Sequence, residues 1–269
     1  MVQQIDQTIL DKLLPRKENT HKGSFGTLAM LCGSEDMPGA AYLAASGALR
    51  SGVGLLAAAA DGELKRVLQS RIAEPVWIST ASLPHPTATA FLCGCGLGRT
   101  KDDLMIELLP RIQVPAVYDA DCINFLSAHI DVLDELSSTA ILTPHPAEFS
   151  RLTGLPVSEI QEHREESAAF FAKKHGCVLV LKGHKTVVAS PDGEVLVNTS
   201  GCNALAKGGS GDVLAGVIAS LLAQGHSPME SACIGVYAHG LAGENLAKRY
   251  GMRGVLPSDL PMEIGRILG

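Results

Sequence analysis

The residues best suited to chemistry form a glycine-rich run that ends in a carboxylate, Gly208–Asp212 (Gly-Gly-Ser-Gly-Asp). The apolar run Val213–Ile218 follows directly and predicts a buried helix that begins here. Glycines before a helix leave backbone amides free to converge on an anion, and the helix dipole adds positive potential. A carboxylate beside a phosphate is unfavourable unless it has a task, such as taking the proton of an attacking hydroxyl. On the local pattern alone, Asp212 could equally cap the helix while the glycines form a tight turn.

A second candidate is the run Thr143–Glu148 (Thr-Pro-His-Pro-Ala-Glu), which comes at the end of a predicted strand. Prolines on both sides of His145 fix the backbone, which a solvent-exposed loop would not need. His145 either contacts a substrate or is an ordinary loop histidine. Glu148 either binds a magnesium ion through water or favours the N-terminus of a helix.

Three further runs end predicted strands. Cys93–Gly98 (Cys-Gly-Cys-Gly-Leu-Gly) contains only part of a dinucleotide fingerprint, so we expect a loop that brings its backbone close to a ligand instead. Tyr118–Asp121 carries two carboxylates, which indicate metal or sugar contacts unless Asp121 merely caps a helix. Lys182 follows a strongly apolar strand and could meet a nucleotide phosphate or ribose, or be solvated.

Strands that alternate with helices must position these residues, and they predict a mainly parallel sheet with helices on both faces. Ligands of such sheets bind at the carboxyl ends of the strands. The predicted strands are Thr27–Cys32, Leu55–Ala60, Phe91–Cys93, Ala116–Asp119, Ala140–Thr143 and Cys177–Leu181, with an edge hairpin of Thr186–Ala189 and Glu194–Asn198. The predicted helices are Ala40–Arg50, Ser158–His175, Asp212–Gln224, Pro228–Tyr250 and a last one from Pro257. No repeat or linker interrupts this order, so we expect one domain over residues 1–269.

Composition narrows the class of protein. Hydrophobic residues make up 46% of the 269 residues and charged residues 19%, which predicts a large core rather than disorder. The net charge of -6 argues against a nucleic-acid or membrane-surface binder. The seven cysteines are scattered and indicate reduced thiols in a cytoplasmic protein. The apolar stretch Leu43–Ala60 is too short and too broken to span a bilayer, and the N-terminus lacks the apolar core of a secretion signal.

Taken in order, these runs resemble the ADP/ATP-dependent NAD(P)H-hydrate dehydratases, a branch of the ribokinase-like superfamily. The resemblance covers almost the whole chain, and the Thr-Pro-His-Pro and Gly-Asp-Val-Leu-Ala-Gly sequences are its most specific parts. The segments that carry it are His21–Gly26, Gly39–Ala41, Gly96–Gly98, Asp119–Asp121, Thr143–Glu148, Lys182–Gly183 and Gly208–Gly216. The resemblance implies a three-layer α/β/α sandwich with a mainly parallel central sheet.

The resemblance also implies a metabolite-repair reaction, in which hydrated NADH or NADPH (NADHX or NADPHX) is dehydrated at the expense of ADP or ATP. Asp212 would be the catalytic base and would contact the hydrate together with Ala40, Gly98 and His145. The nucleotide would be bound by Lys182, Gly183, His184, Lys185, Thr186, Gly208, Gly209, Ser210 and Gly211. Glu148 would contact Mg²⁺ through water, and relatives form homo-oligomers, commonly tetramers.

Two departures from the family pattern stand beside the catalytic run. Ser210 occupies a position where the family usually has Thr, and Lys207 adds a charge near the nucleotide, which bears on nucleotide preference. Two other interpretations stay open. One is a hydroxymethylpyrimidine or hydroxyethylthiazole kinase on the same fold, and the other is a nucleotide-binding sensor without activity, for which an intact Asp212 would serve no purpose.

Overall fold

The computed structural model describes residues 3–136 and 140–269 of the chain. Ten strands and eleven α-helices follow one another within these residues, besides short 3-10 turns. The strands are β1 (Gln3–Ile5), β2 (Thr27–Leu31), β3 (Leu55–Ala59), β4 (Val76–Ile78), β5 (Ala90–Cys93), β6 (Ala116–Tyr118), β7 (Ala140–Leu142), β8 (Val178–Leu181), β9 (Val187–Ala189) and β10 (Val195–Asn198). The helices are α1 (Pro38–Arg50), α2 (Gly62–Gln69), α3 (Asp102–Leu108), α4 (Asp121–Ala128), α5 (Ile130–Glu135), α6 (Pro146–Thr153), α7 (Val157–Glu162), α8 (Arg164–His175), α9 (Ser210–Ala223), α10 (Pro228–Tyr250) and α11 (Leu260–Ile267).

All described strands join one sheet in the order β1-β10-β9-β8-β7-β6-β5-β2-β3-β4. The pairs β8–β9 and β9–β10 are antiparallel, and the other pairs are parallel, as predicted. The predicted hairpin of β9 and β10 exists but does not form the edge, because β1 pairs with β10 on its outer side. Only Ile5 of β1 is buried, so the sequence gives too little apolar pattern to reveal this strand.

Side chains alternate between the two faces of the sheet and meet a different set of helices on each face. Leu28 and Met30 of β2 pack in one core with α1, α2, α9 and α10. Ala29 and Leu31 of the same strand pack in a second core with helices α3, α4, α5, α6 and α8. Helix α11 adds an outer contact to α9 and α10. This arrangement is the predicted three-layer sandwich.

The central helix α9 lies very close to α1 because both carry glycine at the contact. A Cβ atom added to Gly216 would lie 2.0 Å from the carbonyl oxygen of Ala44, and one added to Gly47 would lie 2.6 Å from that of Val213. Every residue of α9 except Gly211 and Asp212 is buried. The two exceptions are the residues at which the helix opens towards the predicted site.

The predicted helix Ser158–His175 is wrong as a single element. It is divided into α7 and α8 at His163, whose backbone leaves the helical region (φ -125, ψ 48). Sequence reasoning also missed β4 and α2. Within the described residues, no helix combines the length and the apolar character needed to cross a membrane.

Candidate active site

The carboxyl ends of β6, β7 and β8 and the N-terminus of α9 surround a cavity of approximately 800 Å³. That volume is in the range of small-molecule sites. The predicted residues that line it are His145, Glu148, Lys182, Gly183, His184, Lys185, Thr186, Gly208, Gly209, Ser210, Gly211 and Asp212. The structure therefore gathers runs that are far apart in sequence into one concave site.

The turn before α9 lines this cavity, and within the described part of the chain only one of its amides, that of Ser210, has a backbone acceptor, the carbonyl of Lys207 at 3.2 Å. Gly209 precedes the helix in the left-handed region (φ 97), and no side chain caps the first turn. A Cβ atom on Gly209 would lie 2.5 Å from the side chain of Leu43, so the position requires glycine for both its backbone angle and its space. Uncapped amides together with the positive end of the helix dipole are suited to bind phosphate.

Asp212 is the third residue of α9, and it does not cap the helix. Its carboxylate lies in a group with the Asp119 carboxylate and the Cys95 thiol, whose nearest ligand atoms are within 4.8 Å of one another. Burial and the negative charge of Asp119 raise the pKa of Asp212 to about 6, although the Lys182 ammonium opposes this shift. A carboxylate with this pKa is ionised at neutral pH and is a stronger base than an ordinary aspartate.

Asp119 is a site residue whose partner, Lys182, could not be identified from the sequence. It follows β6 and is 1% exposed, and it accepts hydrogen bonds from Thr143 Oγ1 at 2.7 Å and from Lys182 Nζ at 2.7 Å. Its position directly after a strand was visible in the sequence, whereas the pairing with Lys182 depends on the order of β6, β7 and β8 in the sheet.

Lys182 remains charged in this environment. Burial lowers its pKa, but the carboxylates of Asp119 and Glu148 outweigh that effect and raise it. Its Nζ lies 3.3 Å from the position that a Cβ atom on Gly211 would occupy, so the ammonium sits beside the first turn of α9. The ammonium and the amides of the first turn thus lie side by side, although the Asp119 carboxylate pairs with the ammonium.

His145 and Glu148 form a reciprocal cap at the start of α6. His145 Nδ1 accepts the amides of Ala147 (3.1 Å) and Glu148 (3.2 Å), and Glu148 Oε2 accepts the amide of His145 at 2.7 Å. Because Nδ1 accepts, the neutral ring carries its proton on Nε2, which lies 3.3 Å from Glu148 Oε1. Burial, Lys182 and Arg151 lower the pKa of His145, so its ring is neutral at pH 7. His145 and Glu148 thus have a structural role as the cap of α6, in addition to any role in binding.

The acidic groups fit magnesium to different degrees. His145 contacts both oxygens of Glu148, which suits this carboxylate to contact Mg²⁺ through water. Burial raises the pKa of Glu148, which lines the cavity. Asp119 already accepts from Thr143 and Lys182, and the neighbouring Cys95 offers a thiol that magnesium disfavours. Among the described residues, Glu148 is the better candidate.

The run Lys182–Thr186 forms the rim of the cavity. Gly183 has φ +146, and a Cβ atom there would lie 3.1 Å from the guanidinium of Arg164, which donates to the carbonyls of Leu181 (2.9 Å) and Lys182 (3.3 Å). His184 and Lys185 are exposed. These contacts hold the base of the rim and leave its tip open to solvent.

Ala40 and Gly98 do not line the cavity, in contrast to the other predicted site residues. Ala40 packs against the loop after β5, since a Cβ atom on Gly96 would lie 2.5 Å from the Ala40 Cβ. The Gly98 amide donates to Asp121 Oδ2 at 2.9 Å, so Asp121 binds this loop from the first turn of α4. The Cys95 thiol of the same loop donates to Asp119 Oδ2 at 3.6 Å and lies within 4.8 Å of an Asp212 oxygen.

The start of α9 also contacts a histidine of α10, which the sequence did not indicate. His239 of α10 is buried, and its Nε2 lies 3.0 Å from the carbonyl oxygen and 3.2 Å from the hydroxyl of Ser210. Burial lowers the pKa of His239 to about 4, so the ring is neutral and adds no charge.

The fold agrees with what the chain is similar to. The family model of NAD(P)H-hydrate dehydratases matches residues 28–266. A bifunctional NAD(P)H-hydrate repair enzyme of Moorella thermoacetica is 41% identical over 268 residues, which cover 92% of this chain and 50% of that protein. The chain thus spans half the length of this bifunctional relative. An ADP-dependent (S)-NAD(P)H-hydrate dehydratase of Neisseria meningitidis is 40% identical over 244 residues, which cover 88% of this chain and 82% of that protein.

Among solved structures, the chain is likewise similar to an NAD(P)H-hydrate dehydratase. The ADP/ATP-dependent NAD(P)H-hydrate dehydratase of Bacillus subtilis, co-crystallised with ATP/Mg²⁺, has a TM-score of 0.88 and 32% identity, covering 99% of this chain and 97% of that chain. A hydroxyethylthiazole kinase of Pyrococcus horikoshii, with a TM-score of 0.63 and 15% identity, shares the fold alone. The chain has the ribokinase-like α/β fold and belongs to the NAD(P)H-hydrate dehydratases, a family of lyases.

Proposed function

We propose that the chain dehydrates (6S)-NADHX and NADPHX to NADH and NADPH, with ADP or ATP as the phosphoryl donor. The observation that carries this proposal is the position of Asp212. Its carboxylate, with a pKa of about 6, stands in the uncapped first turn of α9 at the wall of the cavity. This placement suits a base that takes a proton while the adjacent amides bind the transferring phosphoryl group.

The first step is phosphoryl transfer. Asp212 takes the proton of the hydroxyl on the hydrated nicotinamide ring, and the hydroxyl oxygen attacks the terminal phosphorus of the nucleotide. The bond to the bridging oxygen breaks, and AMP or ADP leaves. Negative charge on the phosphoryl oxygens is met by the amides of the Gly208–Gly211 turn and by Lys182.

The second step is elimination. The lone pair of the ring nitrogen expels phosphate from the neighbouring carbon, and the next ring carbon loses a proton to water to restore the double bond. The sum is loss of water from the hydrate, with that water used to release phosphate from the nucleotide. Phosphorylation is needed because hydroxide is a poor leaving group, whereas phosphate is a good one.

The remaining roles follow the layout of the cavity. We assign the nucleotide to the rim Lys182–Thr186 and the turn Gly208–Gly211, which both line the cavity. We assign the hydrate to His145, to Asp212 and to the loop carrying Gly98, which packs beside Ala40. Mg²⁺ bound with the nucleotide would neutralise charge on the transferring group, with Glu148 as its contact through water. Asp119 keeps Lys182 in place.

Product analysis separates this function from a vitamin-precursor kinase on the same fold. A kinase releases a product that still carries the phosphate, whereas the dehydratase releases inorganic phosphate and NADH together. The protein is incubated with NADH hydrate, Mg²⁺ and ADP or ATP, and both the absorbance of NADH and free phosphate are measured. We expect about one phosphate per NADH. Nucleotide turnover with hydroxymethylpyrimidine or hydroxyethylthiazole, but none with NADH hydrate, would contradict the proposal.

We further propose that the protein acts in the cytoplasm as a homo-oligomer, commonly a tetramer in relatives, and binds neither nucleic acid nor membranes. Seven free cysteines, six of them buried, suit a reducing compartment. The net charge of -6 argues against polyanionic partners. Light scattering of the purified protein tests the oligomeric state.

A further inference from the structure

Lys207 stands directly before the glycine-rich turn, and the proposed function gives it no role as part of the base or of the rim. Its Nζ donates to the carbonyl of Arg253 at 2.7 Å and also to that of Val255. Lys207 is among the residues that line the cavity. Both partners are carbonyls, so among the described residues no carboxylate neutralises its charge.

The partner segment supports the turn at a second point. A Cβ atom on Gly209 would lie 3.4 Å from Pro257, so residues 253–257 contact the turn both at Lys207 and at Gly209. Val255 is buried in the core with α9 and α10 and anchors this segment. Gly254, by contrast, is exposed, so the segment has little packing of its own on its outer side.

The backbone of Lys207 belongs to the turn itself. Its carbonyl accepts the amide of Ser210 at 3.2 Å, and its amide donates to the carbonyl of Leu205 at 2.8 Å. Movement of Lys207 would therefore shift the turn and the first amides of α9.

We propose that Lys207 is a positioning residue for the nucleotide phosphates: its ammonium ties the Gly208–Gly211 turn to the segment Arg253–Val255. This inference rests on the proposed nucleotide site. The clamp pre-organises the uncapped amides of α9, and the charge in the cavity wall adds attraction for phosphate. The hydrate, by contrast, meets Asp212 and His145 and makes no use of Lys207.

The test compares Lys207→Met, which loses charge and donors, with Lys207→Arg, which keeps both. Lys207→Gln keeps an N–H donor without the charge and covers the case that the Met variant does not fold. Lys173→Met, at an exposed position in the last turn of α8, is the matched control. Binding of Mg-ADP and Mg-ATP is measured by calorimetric titration without hydrate, and thermal melts verify folding.

We expect Lys207→Met to weaken nucleotide binding by roughly tenfold or more, since charged hydrogen bonds contribute at about that level. Lys207→Arg and Lys173→Met should bind within about threefold of the unchanged protein, and Lys207→Gln should lie between Met and Arg. In turnover, the Michaelis constant for nucleotide should rise while that for hydrate stays within about twofold. A folded Met or Gln variant that binds nucleotide normally, or an Arg variant as weak as Met, would overturn the inference. If the unchanged protein binds no nucleotide, the proposed function fails instead.

Discussion

Replacing Asp212 by Asn should stabilise the protein in the absence of ligands while it removes the proposed base. The folded structure raises the pKa of Asp212 from 3.8 to about 6, mainly by burial and by the charge of Asp119. Above that pH the ionised carboxylate is therefore held in an environment that disfavours it. Asn has nearly the same shape and carries no charge, so it avoids this cost.

The magnitude follows from the shift in pKa. About two pKa units correspond to about 3 kcal/mol in the free energy of unfolding at neutral pH. The carboxylate also interacts favourably with the N-terminus of α9, which Asn gives up at a cost of about 0.3–1 kcal/mol. The net expected gain is about 2 kcal/mol near pH 7.5.

The pH dependence gives the sign of the effect. A carboxyl group whose pKa is higher in the folded state contributes stability that is complete below the unfolded pKa of 3.8 and is lost as the pH rises through about 6. The advantage of Asn should therefore be largest above about pH 7 and fall to roughly half by pH 5. Urea unfolding of both proteins across this range measures the difference.

Asp119→Asn is the matched control, because it also replaces a buried aspartate in the same cluster. Asp119 is the partner of Lys182 and Thr143, so its loss should destabilise the protein by about 3 kcal/mol. If Asp212→Asn proves less stable than the unchanged protein, or if its gain does not vary with pH, then the carboxylate is not strained and the reasoning is wrong.

Three other results should follow from the same site. Asp212→Asn should lower turnover by roughly two to four orders of magnitude with little change in nucleotide affinity; near-normal turnover would reject Asp212 as the base. The pH profile of kcat/KM should rise through about pH 6. Asp119→Asn should move this rise to lower pH, because a negative charge beside Asp212 is lost. A rise that stays at the same pH would show that it does not report the ionisation of Asp212. His145→Ala should raise the Michaelis constant for the hydrate more than that for the nucleotide. It should also lower the free energy of unfolding by about 1 kcal/mol through the lost cap, whereas His145→Asn should retain the cap. Equal effects on both Michaelis constants would mean that His145 has only a structural role.

Much of the sheet could be predicted because its strands are continuous apolar runs. The runs around β2, β3 and β8 gave strand limits within a residue of those observed. β1 and β4 have three residues each, too few to indicate a strand: β1 contains one apolar residue, and β4, although it consists of Val, Trp and Ile, is exposed or half-buried. The break between α7 and α8 at His163 involves neither glycine nor proline and leaves no signal in the sequence.

The candidate site divides in the same way. Asp212 and Lys182 could be found because a glycine-rich turn and a strand end mark them locally. The partnership of Asp119 with Lys182 could not, because it requires the ends of β6 and β8 to lie on either side of β7. The contact of Ser210 with His239 likewise depends on how α10 packs against α9.

The burial of α9 determines which parts of the protein can move during turnover. The helix is held against α1 by direct backbone contact, and only Gly211 and Asp212 escape burial. A displacement of this helix would disturb both the α1 contact and the sheet, so we expect the proposed base, Asp212, to stay in place through the cycle. We then expect nucleotide to enter and products to leave past the rim Lys182–Thr186, where His184 and Lys185 are exposed. We therefore expect release of products to depend on motion of this rim, around a base that does not move.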